Sequence, residues 1–247
     1  MRQFLGVLVA VVFLCVPSGP ARAGEDDANA ILDKAIKAMG GEEKLGKIMA
    51  FTWTTSGSMK VNGRAKNVDA VVTFKGLNQV RRDFHEYPRR RLTILDGDKG
   101  WFYVGGQYHA MNDDAVAKEK RDIYLQVIPS LLVPLKSNGF KYQTAGEEDV
   151  RGKPATILKV TCPDRTDFLI YFDKESFLPV KEVARSLKAD GNEQIEEATF
   201  TDYKDFGGIK KATSIEIRTA PQSVGFIEIT EFKVLDHVDP LTFAGPK

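Results

Sequence analysis

The sequence FTWTTSGSMKVNGRAKNVDAVVTF (residues 51–74) decides the fold class of this chain. In its first part Phe51, Trp53 and Met59 occupy odd positions, whereas the even positions carry Thr, Ser or Lys. A period of two puts the apolar side chains on one face of a β-strand. Asn62-Gly63 is the strongest short hairpin signal, and alternate apolar residues return after it, ending at Phe74. The stretch therefore predicts an antiparallel hairpin with one buried face.

The same alternation recurs along most of the chain. Further strands are predicted at residues 80–84, 92–95, 101–104, 140–145, 155–162, 168–172, 180–187, 195–203, 209–218 and 224–235. Glycine-containing turns separate several of them, including Gly105-Gly106 before Tyr108, Gly152, Asp190-Gly191 and Gly207-Gly208. Roughly ten to twelve consecutive strands without crossover helices favour a strongly curved antiparallel sheet or barrel over a parallel α/β fold.

Two segments have helical instead of strand spacing. An N-terminal amphipathic helix from Asp27 is predicted to end at Gly40-Gly41. The second segment, residues 112–135, has Asp113 and Asp114 as cap candidates and one apolar stripe: Ile123, Tyr124, Val127, Ile128, Leu131 and Leu132. Pro129 and Pro134 are expected to kink or end this helix. It is predicted to be a movable lid on the concave sheet; the alternative is permanent core.

The first residues have the composition of a secretory signal peptide. A short basic start is followed by the apolar run 4–16, by helix-breaking prolines, and by Ala21-Arg22-Ala23, so cleavage is expected before Gly24. Cys15 could instead carry a lipoprotein anchor, but Leu14 stands where that processing needs a small residue. We therefore predict a cleaved signal at residues 1–23, a single domain at residues 24–247, and a location outside the cytoplasm.

Charge and motif content exclude several functional classes. The chain has 35 Lys and Arg residues against 34 Asp and Glu residues, so it has no field that would attract nucleic acid. The zinc-protease motif that His85-Glu86 would begin lacks its second histidine, because Arg89 stands there. His85, His109 and His237 are far apart in sequence, and Cys162 fits a packing role better than a nucleophile. No cofactor, metal site or enzymatic activity is expected, and a hydrolase is the least favoured hypothesis.

Aromatic side chains recur on nearly every predicted strand. For each of them an ordinary core role is the simplest interpretation. Combined with a curved sheet and a helical lid, the set also suits an apolar binding cavity. The candidate lining residues are Phe51, Trp53, Phe74, Phe84, Trp101, Tyr103, Phe168 and Phe172 from the strands, with Ile128 and Leu132 from the lid.

Three stretches carry a resemblance to a known family. They are AMGG (residues 38–41) at the end of the first helix, DGDKGWFY (residues 96–103), and YFDKESFLPV (residues 171–180). In these the chain resembles the periplasmic lipoprotein-sorting carriers of the LolA/LolB type and their lipid-binding relatives. The likeness extends loosely over the whole predicted mature chain, and none of the three stretches is a catalytic motif.

The resemblance implies an unclosed β-barrel, a half-barrel whose concave opening is lined by helices and shelters acyl chains. It also implies an arginine that controls the lid, for which Arg82 is the candidate because alternation puts it on the face of Val80 and Phe84. The expected function is a monomeric periplasmic carrier of lipid or of lipoprotein acyl chains, moving them toward the outer membrane. Its partners would include an inner-membrane exporter and an outer-membrane acceptor. The alternative is a non-catalytic sensor or interaction domain of the same fold, which binds lipidated or protein partners.

Overall fold

The computed structural model describes residues 23–61, 63–86, 89–137, 139–162, 167–187, 193–219 and 222–246. Residues 1–22, with Cys15 and nearly all of the predicted signal peptide, lie outside the described residues, as do Asn62 and the predicted turn Asp190-Gly191. Helix α1 is Ala23–Met39, α2 is Glu42–Gly46 and α3 is Asp113–Leu131; short 3₁₀ helices span Val133–Lys136 and Pro240–Phe243. None of the described helices combines the length and the apolar character that crossing a membrane requires.

The strands form two groups along the chain. The first group, here the N-terminal wing, is β1 (Ala50–Val61), β2 (Arg64–Lys75), β3 (Gln79–Glu86), β4 (Arg89–Asp96), β5 (Lys99–Val104) and β6 (Gln107–Ala110). The second group, the C-terminal wing, is β7 (Lys141–Val150), β8 (Lys153–Thr161), β9 (Phe168–Asp173), β10 (Pro179–Leu187), β11 (Glu193–Asp205), β12 (Lys210–Thr219) and β13 (Gln222–Val234).

Both wings belong to one antiparallel sheet of 13 strands, in the order β6-β5-β4-β3-β2-β1-β13-β12-β11-β10-β9-β8-β7. Each wing is a meander, and the wings are joined where β1 pairs with β13. In the described residues the edge strands β6 and β7 do not pair with each other, so the sheet is open. The predicted curved, unclosed antiparallel sheet with an N-terminal and a mid-chain helix is confirmed.

The hairpin predicted from residues 51–74 is formed. Phe51 lies opposite Phe74 and Trp53 lies opposite Val72. Because directly paired residues of an antiparallel ladder share a face, these four side chains point to the same side of the sheet. All four are buried. We call the face of the sheet that carries them the inner face; α1 and α3 pack on it, and the main hydrophobic core lies between.

Helix α3 connects the two edges of the sheet. Its N-cap is Asn112, whose side chain accepts a hydrogen bond from the backbone N–H of Ala115 at 2.9 Å, and not either of the predicted aspartates. The expectation that Pro129 ends the helix is wrong, since α3 continues to Leu131. Burial of the surrounding apolar side chains outweighs the hydrogen bond that the proline ring removes. Pro134 stands in the first turn of the next 3₁₀ helix, where its missing N–H costs little.

Candidate functional site

The inner face of the sheet is covered by one side of α3. Ile123, Ile128 and Leu132 are fully buried, and Val127 is 1% exposed. They belong to the same cluster as the sheet residue Phe74. At about 1.5–3 kcal/mol for each fully buried side chain of this size, the stripe accounts for much of the attachment of α3.

Most of the predicted lining residues come together in this interior. Phe51, Trp53, Phe74, Ile128, Leu132, Phe168 and Phe172 are buried in the main cluster, and Phe84 packs against it half-buried. Phe51, Trp53 and Phe74 form mutual ring contacts with centroids 4.9–5.5 Å apart. The structure thus places these residues on one continuous apolar surface between sheet and helices.

Trp101 and Tyr103 do not belong to this interior, which corrects their prediction as lining residues. In the β4–β5 ladder Trp101 pairs with Ile94 and Tyr103 pairs with Leu92. Those partners point to the outer face, where Phe243 of the C-terminal 3₁₀ helix covers them in a separate cluster. Strand β4 is apolar on both faces, so its alternation alone could not show which face points inward.

Arg82 lies on the inner face and contacts α3. Its Nη1 donates a short hydrogen bond to Oε2 of Glu119, and both side chains are mostly buried. The guanidinium also lies over the Phe74 ring, 5.8 Å from the centroid. Within the described residues Nε and Nη2 of Arg82 have no hydrogen-bond partner. The pair therefore ties α3 to the N-terminal wing through a charge contact in an apolar surrounding.

A second buried cation ties α3 to the other wing. Lys211 of β12 donates from Nζ to Oγ of Ser130 at 2.8 Å, and its ammonium lies 4.9 Å from the centroid of the Trp53 ring. Burial lowers the pKa of Lys211 to about 7, partly offset by the nearby Glu182 carboxylate. Burial, with a contribution from Glu196, raises the pKa of Glu182 well above its usual value.

These two contacts tie α3 to both wings, and Lys120 of α3 also forms an ion pair with Asp98 in the β4–β5 turn. Glu119 contacts the N-terminal wing and Ser130 contacts the C-terminal wing, so α3 bridges the opening of the sheet by an ion pair at one end and a hydrogen bond at the other. Of these residues only Arg82 was predicted from its sequence pattern, whereas Glu119, Ser130, Lys211 and Glu182 were not. Strand alternation could have found Lys211, since it shares a face with Thr213 and Ile215.

A strip of the inner face continues beyond α3. The helix crosses the sheet near one end, as its contacts with Arg82, Asp98 and Lys211 show. Toward the other end, Val68 pairs with Gly57, and Gly57 pairs with Ile227. Met59, Val68, Ile215, Ile217 and Ile227 on this strip are only half-buried. The apolar interior is thus continuous with a partly exposed apolar surface.

The side chains considered for chemistry lie elsewhere. His85, His109 and His237 are exposed, and Cys162 is buried at the end of β8. Among the described residues no group of three His, Cys, Asp or Glu side chains could hold a metal ion.

Comparison with solved structures identifies the fold. No family model matches the sequence, and no curated protein matches it with significance. A LolA superfamily protein from Nitrosomonas europaea superposes with a TM-score of 0.59 at 14% identity, over 88% of this chain and 97% of that one. A DUF1329 family protein from Desulfovibrio piger gives a TM-score of 0.55 at 12% identity, over 88% and 97% of the two chains.

A third structure is an outer membrane lipoprotein-sorting protein domain from Vibrio parahaemolyticus. It gives a TM-score of 0.54 at 10% identity, over 86% of this chain and 97% of that one. The open antiparallel sheet with helices on its inner face is therefore the LolA-like fold, and the resemblance seen in the sequence is confirmed at the level of the fold. Nearly the whole length of each of these structures is covered.

Proposed function

We propose that the protein is a carrier that binds lipid, or the acyl chains of lipoproteins, between the inner face of its sheet and helix α3. The observation that carries the proposal is the construction of the interior. A continuous apolar surface is covered by α1 and α3. The polar contacts of α3 with the sheet are few: a buried ion pair, a buried hydrogen bond and the pair between Lys120 and Asp98. A ligand that displaces the α3 stripe replaces apolar contacts by apolar contacts, so the exchange costs little.

The physical need for such a carrier is large. An acyl chain of about sixteen carbons costs on the order of 12 kcal/mol to expose to water, at about 0.8 kcal/mol per methylene. A protein that encloses the chain removes this cost during transit through an aqueous compartment. Binding free energy would come from buried apolar area and not from catalytic groups.

The half-buried strip beyond α3 is the proposed entry. An acyl chain would contact Met59, Ile217 and Ile227 there before it reaches the aromatic residues under the helix. Phe51 and Phe74 would then contact the chain once α3 has moved. Arg82 and Glu119 separate in this step, which gives Arg82 the lid-controlling role that the sequence resemblance implied.

The route of transport follows from the predicted signal peptide and from the fold. We infer a periplasmic location after export, with delivery toward the outer membrane. The similarity to an outer membrane lipoprotein-sorting domain supports this direction. An inner-membrane exporter that supplies the ligand and an outer-membrane acceptor are the corresponding partners.

The two tryptophans of the chain provide a direct test. Trp53 lies in the interior and Trp101 lies on the outer face, so Trp101→Phe leaves Trp53 as the sole tryptophan reporter of the proposed site. A long-chain fatty acid should shift or quench the emission of this variant in a saturable manner. The matched variant Trp53→Phe, which keeps only Trp101, should respond little.

Native mass spectrometry of protein purified from cell envelopes is the second measurement, and it should show bound lipid or acylated protein. The proposal is wrong if no lipid co-purifies and if the emission of the variant that keeps Trp53 does not change with added fatty acid.

A further inference from the structure

A groove of about 750 Å³ lies outside the apolar interior, at the end of the sheet where α1 stops. Three segments form it: the last turns of α1, the β9–β10 turn and the β11–β12 turn. Its lining residues are Lys34, Lys37, Ala38, Gly40, Gly41, Phe177, Asp205, Gly208 and Lys210. The volume is within the range of small-ligand sites, about 300–1,000 Å³.

Close backbone packing fixes the walls of this groove. A Cβ atom at Gly40 would lie 2.6 Å from the carbonyl oxygen of Gly208, so only glycine lets α1 end against the β11–β12 turn. Lys44 Nζ donates to the carbonyl oxygen of Gly207 at 3.1 Å from the α2 side. The shape of the groove is therefore fixed by the packing of α1 and α2 against the β11–β12 turn.

Positive charge is concentrated on the groove. Lys34, Lys37 and Lys210 line it, and among the described residues none of the three forms an ion pair with a carboxylate. Asp205 is the acidic residue in the lining, and its Oδ1 accepts a hydrogen bond from the backbone N–H of Gly208 at 2.6 Å.

The acidic residues beside the groove are already paired. Asp33 and Glu42 both lie within 2.8 Å of Lys136 Nζ, on the side toward α3. Some exposed lysines elsewhere in the described chain have carboxylate partners, as Lys47 has in Glu43 and Lys233 has in Glu231. The cations of the groove thus remain available to an external anion.

The groove also offers an aromatic ring. The ammonium of Lys34 lies 5.0 Å from the ring centroid of Phe177. Phe177 has a backbone φ of 57°, a left-handed conformation that is unusual for a bulky residue and costs free energy. Asp173 stabilises this turn by accepting hydrogen bonds from the backbone N–H groups of Glu175 and Ser176. Phe177 is thereby held beside the three lysines.

We propose that this groove binds the phosphate group of an anionic phospholipid at a membrane surface. Three ammonium groups complement the phosphate charge, while Phe177 and Ala38 contact the apolar part of the lipid next to it. A groove of this volume that combines cations with an aromatic ring fits one headgroup better than a broad acidic protein surface. The inference extends the carrier function proposed above, because it assigns the contact with the donor or acceptor membrane.

The test is co-sedimentation with vesicles of phosphatidylcholine alone and with vesicles containing phosphatidylglycerol. Wild-type protein should bind the anionic vesicles, and the variant with Lys34→Gln, Lys37→Gln and Lys210→Gln should bind them weakly. At about fivefold per lysine, the combined loss should be roughly 100-fold. The control variant with Lys60→Gln, Lys159→Gln and Lys233→Gln loses the same charge outside the groove and should bind nearly as well as wild type.

Two competition arms identify the source of the anion. Millimolar inorganic phosphate at constant ionic strength should displace the protein from vesicles little, if the site needs a lipid; full displacement would overturn the lipid assignment. Tighter binding of an acidic peptide than of the anionic vesicles would also overturn the lipid assignment. Equal losses in the groove variant and in the control variant would overturn the groove itself. The Trp53 response to fatty acid should persist in the groove variant, so failure of this inference is distinguishable from failure of the carrier function.

Discussion

Lys211 places an amine between the Trp53 ring and the Ser130 hydroxyl, in an apolar part of the protein. Burial is the largest influence on it, and it lowers the pKa of Lys211 from 10.5 to about 7. In the unfolded chain the same amine holds its proton up to a pH near 10.5. Between these values the unfolded state binds more protons, so the free energy of unfolding contributed by Lys211 rises with pH.

Replacement of Lys211 should remove this rise. We expect the free energy of unfolding of wild-type protein, relative to Lys211→Met, to increase from pH 7 to pH 9 by an amount on the order of a few kcal/mol, since one pKa unit corresponds to about 1.4 kcal/mol. Urea denaturation at several pH values measures it. Glu182 has the opposite effect on the pH dependence of the free energy of unfolding. Because its pKa is raised in the folded protein, the folded state binds the extra proton above pH 4.5, and the contribution of Glu182 to stability falls as pH rises.

A Glu182→Gln variant separates the two groups. In this background, the difference in the free energy of unfolding between the protein with Lys211 and the protein with Lys211→Met should still rise with pH. The coupling between the side chains of Lys211 and Glu182 changes only the size of that rise. A pH-independent difference between wild type and Lys211→Met would show that Lys211 has an ordinary pKa in the folded protein.

At the scale of the element, α3 combines a buried stripe with a proline near its C-terminus. Pro129 leaves the carbonyl oxygen of Leu125 without its helical N–H partner, and yet the helix continues for two more residues. Apolar contacts around Ile128 and Leu132 hold this turn in place. Most of the stability of α3 therefore comes from tertiary contact and little from the helix itself, as expected for a movable cover.

The variant Ile128→Asp tests whether α3 is a cover. A buried unpaired carboxylate there is costly, so we expect α3 to leave the inner face and fatty-acid binding to fall, while the β-sheet spectrum in circular dichroism persists. Ala117→Asp, at an exposed position of the same helix, controls for helix propensity and should bind normally. Loss of binding together with the β-sheet spectrum would show instead that the stripe is permanent core.

At the scale of the whole molecule, the pairing of β1 with β13 joins the two wings. The ladder shifts register between Thr54 and Thr55, and beyond that shift the two backbones lie very close together. A Cβ atom added at Gly57 would lie 2.2 Å from the carbonyl oxygen of Phe226. Both positions are in central strands of the sheet, so neither backbone can move away without disturbing its other neighbour.

Gly57→Ala should therefore destabilise the whole protein. We expect the free energy of unfolding to fall by about 1–3 kcal/mol, the usual cost of inserting a methyl group into a packed region. Urea denaturation measures this fall, and Ser58→Ala on the same strand should change stability by less than about 0.5 kcal/mol. Wild-type stability in Gly57→Ala would contradict the close approach of the two wings.

The sequence by itself determined the elements of this protein. Alternating side chains predicted the strands and the inner position of Phe51, Trp53 and Phe74, because a residue's face on a strand depends only on its parity. Helical spacing predicted α1 and the stripe of α3 for the same local reason. The open curved sheet followed from many strands with few helices to cover them.

Tertiary structure decided what depends on distant parts of the chain. Trp101 belongs to a second apolar cluster because the C-terminal segment covers the outer face there, a contact across more than half of the sequence. Glu119 and Lys211 are buried although their types favour solvent, since partners on other elements and the packing of α3 compensate part of the cost. The groove beside Phe177 exists only where three separate segments meet. Local periodicity carries no information about such contacts between distant segments, because these contacts depend on which surfaces pack together when the sheet and its helices assemble.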